Sequence, residues 1–123
     1  MKVLVKRIYE PAGKSDGVRV LVDRLWPRGM SKENAKLDLW LPDLGPTTAL
    51  RQWFNHDPER WDEFQRRYYA ELKGKKELVA ELKGRAKKGT VTLLYSAKDE
   101  ERNQAVALRS FLTKRSVTHK LMK

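Results

Sequence analysis

The chain has 123 residues, with 27 Lys+Arg against 16 Asp+Glu, a net charge of +11 and no cysteine. Lack of cysteine excludes disulfides, thiol nucleophiles and Cys-based metal sites, and no apolar run approaches the ~20 residues of a membrane helix. The length suits one domain with its own hydrophobic core.

The first residues, MKVLVKRIYE, hold no signal-peptide apolar region, since Lys6 and Arg7 interrupt the run. A cytoplasmic protein without membrane association is the expectation. Val3–Val5 predicts a short strand buried on both faces. Residues 9–17, YEPAGKSDG, predict a loop punctuated by Pro11, Gly13 and Asp16-Gly17. Val18–Asp23 alternates: Val18, Val20 and Val22 share one face, and Arg19, Leu21 and Asp23 share the other. Nine loop residues are few for a crossover between neighbouring parallel strands. The first two strands are therefore expected to be non-adjacent or antiparallel.

Ser31 is a candidate N-cap for a short turn or helix through Asn34. Leu37–Leu41 is apolar again and Pro42 ends it. Thr47 or Thr48 is placed to cap a helix with Leu50, Trp53 and Phe54 on its inner face. Asp57 and Pro58 predict an N-cap and a first helical residue. Trp61, Phe64, Tyr68 and Leu72 follow at spacings of three and four, one apolar helix face. Together with Trp53 and Phe54, these aromatics are expected to build the core.

Gly74 interrupts that pattern. Leu78, Val79, Leu82 and Ala86 predict a further helix, ended by Lys87, Lys88 and Gly89. Val91–Tyr95 predicts a strand, and Asp99 a cap for a last helix carrying Ala105, Leu108 and Leu112. Helices alternating with short apolar strands predict an α/β protein. The expected form is a single layered domain over residues 1–113, with a short, largely parallel sheet of about four strands flanked by helices. Residues 114–123 are expected to be a basic tail or an edge element.

In open α/β sheets ligands sit outside the carboxyl ends of the strands. Three segments are expected to meet there: DRLWPRG (23–29), the loop with Asn55, His56 and Asp57, and YSAKD (95–99). Arg24 and Arg28 can clamp a phosphate or carboxylate, and Trp26 between them can stack on a base. Gly29 allows close backbone approach, and the turn led by Ser31 offers amide donors. Asp23 is expected to orient one guanidinium, with Ser96 and Lys98 as the facing wall and Asn103 as a further ligand-binding candidate. A purely structural ion pair, with Trp26 in the core, is the plainer alternative. Asp23, His56 and Tyr95 are the candidate acid–base groups. No spacing demands a metal site, and P-loop, dinucleotide-binding and Ser-elbow patterns are missing, so no metal and no cofactor are expected.

Four blocks carry a family likeness: DGVRVLVDRLWPRGMSKENA, LDLWLPDL, LRQWFNHDPERWDEFQRRYYAEL and GTVTLLYSAKDEERNQA. In order and spacing they resemble the YeaO-like family, small prokaryotic proteins grouped as a domain of unknown function. The likeness spans residues 3–113 and implies a fold and a site region, not a reaction. A broader group of relatives carries a Cys after the last core strand and a Cys-His-Arg cluster in the next helix. This chain has Tyr95 at the first place and, near Asn103, neither Cys nor His. Thiol or metal chemistry therefore does not carry over, whereas an Asp at the position of Asp23 is common to both groups.

The charge is lopsided. Residues 1–72 hold 13 Lys+Arg and 11 Asp+Glu, a net +2, whereas residues 73–123 hold 14 and 5, a net +9. Such a field attracts polyanions, although a solvated lysine face would carry the same charge. The expected function is binding of an anionic, phosphate-bearing small molecule, a nucleotide or a nucleic acid at the strand ends. The alternative is a small enzyme acting on a phosphate- or carboxylate-bearing metabolite through Asp23 or His56. No feature of the chain specifies an oligomeric state.

Overall fold

The computed structural model describes residues 1–113; the expected tail at 114–123 lies outside the described residues. Four strands form one sheet: β1 (Val3–Arg7), β2 (Val18–Leu21), β3 (Leu39–Trp40) and β4 (Val91–Tyr95). Their order is β1-β4-β2-β3 and every pair is parallel. β4 therefore lies between β1 and β2, so the ten-residue connection, 8–17, never has to join neighbouring strands. That loop is tightened by a 3-10 turn at Lys14–Asp16. It enters β2 through Gly17 at φ +64°, where a Cβ would stand 2.2 Å from the Thr90 carbonyl oxygen. Only glycine permits that approach.

Five helices complete the fold: α1 (Lys32–Ala35), α2 (Thr48–Phe54), α3 (Trp61–Lys73), α4 (Lys76–Lys88) and α5 (Gln104–Thr113). Ser31 and Thr47 cap α1 and α2 by accepting the amide hydrogens of Asn34 and Leu50. Asp57 caps a 3-10 turn, Pro58–Arg60, that runs into α3. Asp99 does not cap α5. Its carboxylate accepts from the Glu101 and Arg102 amides and closes a turn. The cap is Asn103, whose side-chain oxygen accepts from the Val106 amide at 3.0 Å.

Alternation along the strands gives the sheet two apolar faces. Val3, Val20, Val22, Val91, Leu93 and Tyr95 form the larger core with Leu50, Phe54, Phe64, Tyr68, Leu72, Leu82, Leu108 and Leu112 of the helices. Ile8, Leu21, Leu94 and Ala35 form a smaller core on the other face, beneath Trp26, Met30 and Leu37. Phe54, Phe64 and Tyr68 are buried as expected. Trp53 and Trp61 are only half-buried, packed against the edge of that core: Trp53 lies under the guanidinium groups of Arg60 and Arg67, because consecutive helix residues point about 100° apart and Phe54 takes the inward direction.

The smaller face also buries a charged knot. The Asp16 carboxylate accepts from Lys6, from Arg19 at 2.5 Å and from the Gly13 amide. Burial alone would raise its pKa, but these three donors hold it below the ordinary value. Arg19 spends its remaining N–H groups on the Ala35 and Lys36 carbonyls. The knot thereby fixes the start of β2 to the end of α1.

Candidate functional site: a cleft at the strand ends

β2 ends at Leu21, but the Val22 amide still donates to the Leu94 carbonyl. Leu21 is paired with Leu94, so two residues further on the same register sets Asp23 beside Ser96. The Asp23 carboxylate accepts from the Ser96 amide at 3.1 Å, from the Ser96 hydroxyl at 2.5 Å and from the Gln104 side-chain amide. This corrects the expectation that Asp23 orients a guanidinium. Parallel register supplies neutral donors from β4 before any arginine can reach it. Burial raises the Asp23 pKa, against the pull of Ser96, Gln104 and the nearby Arg51 charge.

The two arginines of DRLWPRG have separate tasks. Arg24 donates through Nε to the Pro46 carbonyl and through Nη2 to the Gly45 carbonyl, both at 2.9 Å. It pins the loop that leads into α2. Gly45 allows this, because a Cβ there would lie 2.9 Å from the Arg24 amide nitrogen. Arg28 sits on a turn in which the Met30 amide donates to the Pro27 carbonyl. Gly29 supplies the φ of +75° that the turn requires. Arg28 is exposed and its guanidinium has no hydrogen bond or ion pair among the described residues. Behind the turn, Trp26 and Trp40 pack edge to face at 5.3 Å. Their indole N–H groups donate to the Met30 and Asp23 carbonyls.

Arg7, at the end of β1, braces the opposite wall. Its guanidinium donates to the Ser96 and Ala97 carbonyls and stacks on Tyr9, 4.9 Å from the ring centroid. Tyr9 in turn donates its hydroxyl to the Arg28 carbonyl at 2.7 Å.

These segments enclose a cleft of two lobes. The first, about 370 Å³, is walled by Asp23, Arg24, Trp26, Arg28 and Ser96. The second, about 230 Å³, is walled by Gln52, Phe54, Asn55, Phe64, Arg102 and Asn103. Pro46, Arg51, His56, Ala97 and Gln104 border both. Arg51 and His56 are exposed, and the Arg51 guanidinium, like that of Arg28, has no hydrogen bond or ion pair among the described residues. His56 reaches the cleft because Asn55 and His56 are both left-handed, at φ +47° and +54°. No carboxylate hydrogen-bonds the imidazole among the described residues, so nothing orients it as a general base.

Of the expected residues, Arg24, Trp26, Arg28, Ser96, Asp23 and His56 border the first lobe. Asn103 borders the second, but its amide is spent on the Asp99 carbonyl and its oxygen on the Val106 amide. Tyr95 is buried under the site, with its hydroxyl bonded to Asn103. Burial, with Glu100 and Glu10 nearby, raises its pKa. Lys98 is exposed and Ser31 caps α1; neither borders a lobe. No local sequence pattern marks Arg7, Pro46, Arg51, Gln52 or Gln104 as part of the site. Among the described residues no cluster of three His, Asp or Glu could hold a metal ion.

The fold and site define a small all-parallel α/β protein with an arginine-bordered cleft outside the carboxyl ends of its strands. The chain belongs to the YeaO-like family of unknown function: the family described as the inactive DUF488-N3 subclade matches residues 2–121. It is 43% identical over 112 residues to the uncharacterized protein YeaO of Escherichia coli (strain K12), covering 91% of this chain and 97% of that one. It is 40% identical over 114 residues to the uncharacterized protein Rv3073c of Mycobacterium tuberculosis (strain ATCC 25618 / H37Rv), covering 93% and 96%. No solved structure matches the chain. No helix among the described residues is long and apolar enough to cross a membrane.

Proposed function

We propose that the protein binds a phosphate-bearing anionic small molecule in the strand-end cleft and does no chemistry on it. The observation that carries this reading is the convergence on one concavity of Arg28 and Arg51, both exposed and with guanidinium groups that hold no hydrogen bond or ion pair among the described residues. Among the described residues, the only carboxylate bordering that concavity, Asp23, is occupied by Ser96 and Gln104. Unspent guanidinium groups beside an acid whose oxygens are already hydrogen-bonded favour an anion. The left-handed His56, one residue beyond the Asn55 cap of α2, adds support, since a non-glycine residue in that region carries strain of order 1–3 kcal/mol that concentrates at sites of function. An acid–base enzyme is less well supported, because Asp23 already holds three donors and His56 lacks an orienting acid. The description of the family as an inactive subclade agrees with a binding role.

The test is titration with pyrophosphate, followed by calorimetry. Arg28→Ala retains the wild-type melting temperature and loses about ten- to hundred-fold in affinity, the worth of one charged hydrogen-bond partner. Unchanged affinity in Arg28→Ala refutes the site. A nucleic acid is the second reading, favoured by the +9 charge of residues 73–123. Its signature is affinity that falls with salt at a slope of about −0.9 per neutralised phosphate on duplex DNA.

A further inference from the structure

The first lobe accounts for an anion, but an anion alone leaves the second lobe without a purpose. That lobe differs in chemistry. Phe54 and Phe64 form its floor, 6% and 2% exposed. The His56 ring lies 6.3 Å from that of Phe54, tilted by 50°. Its rim carries the primary amides of Gln52 and Asn55, both exposed, and neither side chain has a hydrogen-bond partner among the described residues. Arg102 at the far side is turned toward Asp99, 3.6 Å away. No carboxylate borders the lobe.

An apolar floor beside the exposed His56 ring, with unspent primary amides at its edge, suits a planar, neutral ring that both donates and accepts hydrogen bonds. Each primary amide presents a donor and an acceptor side by side, the pattern that pairs with the edge of a nucleobase. Aromatic rings favour the faces of such bases. A purely apolar ligand would leave both amides unpaired, and a second anion would have to share Arg51 with the first, leaving only Arg102, already turned toward Asp99, for itself. The two lobes meet at Arg51 and His56, so a single molecule can span them. Their combined size falls in the range of small-molecule sites.

We infer that the ligand is a nucleoside monophosphate, its phosphate in the lobe of Arg28 and Arg51 and its base in the lobe of Gln52 and Asn55. This inference rests on the anion-binding reading above and adds the identity of the second half of the ligand.

The experiment is calorimetric titration with inorganic phosphate, ribose 5-phosphate and the adenine, guanine, cytosine and uracil nucleoside monophosphates. The proteins are the full chain, Arg28→Ala, Gln52→Ala and Asn55→Gly, the glycine retaining the left-handed backbone at residue 55. All three variants are first shown to melt with the wild type. The expected result is that at least one nucleotide binds ten-fold or more tighter than ribose 5-phosphate. Gln52→Ala and Asn55→Gly then erase that increment without changing affinity for phosphate, whereas Arg28→Ala weakens every ligand. Equal affinity for nucleotides and ribose 5-phosphate overturns the inference while leaving the anion site standing. A nucleotide preference that survives both amide variants overturns the placement of the base. Absence of binding by every ligand, phosphate included, overturns the anion site itself.

Discussion

Asp23 is the most informative residue to replace, because the structure assigns it a mechanical task where a catalytic or anion-orienting one is also conceivable. Its carboxylate joins the ends of β2 and β4 and the first turn of α5 through the Ser96 amide, the Ser96 hydroxyl and the Gln104 amide. Asp23→Ala leaves three donors without an acceptor. An unsatisfied buried donor costs about 1–3 kcal/mol. The Ser96 hydroxyl can rotate and Gln104 can reach water, so the expected loss is about 3–5 kcal/mol and not the full sum. Asp23→Asn retains one acceptor oxygen for the Ser96 amide. Its new N–H₂ is met by the Ser96 hydroxyl or by Gln104 with its amide reversed, and the expected loss is about 1 kcal/mol or less.

The pH dependence has a definite sign. Burial raises the folded pKa of Asp23 above its ordinary 3.8. A raised carboxyl pKa means that ionisation costs stability. The wild type therefore gains stability as pH falls from 7 through that folded pKa, and the contribution is complete below the unfolded value. Asp23→Asn does not titrate there, so its stability relative to wild type is highest at pH 7 and declines toward pH 4.5. Asp16, whose pKa is lowered, loses its contribution only below the unfolded value, outside this window. The assay is urea unfolding followed by far-UV circular dichroism at pH 7, 6, 5 and 4.5. A loss below 1 kcal/mol for Asp23→Ala at pH 7 would falsify the mechanical role. A stability difference between wild type and Asp23→Asn that is flat with pH would refute the pKa argument.

Three further outcomes follow from the packing. Gly17→Ala forces a Cβ to 2.2 Å from the Thr90 carbonyl at φ +64°, and thermal melts are expected to show a loss of more than about 3 kcal/mol; a loss under 1 kcal/mol would mean that the loop into β2 relaxes freely. Tyr68→Phe removes the donor, at 2.6 Å, to the buried Leu44 carbonyl and is expected to cost about 1–3 kcal/mol in urea unfolding, whereas a neutral result implies another donor to that carbonyl. Phe64→Ala is expected to cost about 3–5 kcal/mol and Trp53→Ala only about 1–2 kcal/mol, since Trp53 lies half-exposed under Arg60 and Arg67; equal losses would show that Trp53 belongs to the core after all.

What the chain discloses by itself is what short-range physics controls. The spacing of Phe64, Tyr68 and Leu72 specifies a helix face because side chains three and four apart lie on one side of a helix. The β-branched run at Val91–Tyr95 and the alternation at Val18–Asp23 specify strands for the matching reason. Ser31, Thr47 and Asp57 cap where they stand because a cap bonds to amides two or three residues away. Asp99 and Asn103 were both able to cap α5, and the choice fell to the path by which the chain leaves β4 and returns over the sheet. The same limit governs the site. That Arg24 is spent and Arg28 free depends on Gly45 and Pro46 arriving some twenty residues later. That Asp23 meets Ser96 depends on β4 lying next to β2 in one register, and no local pattern encodes which strand will be the neighbour. Arg51, Gln52 and Gln104 look like ordinary surface residues of short helices until the sheet order brings α2 and α5 to the same end of β2 and β4. Residue types are local, but partners seventy or eighty positions apart are chosen only when the whole sheet closes.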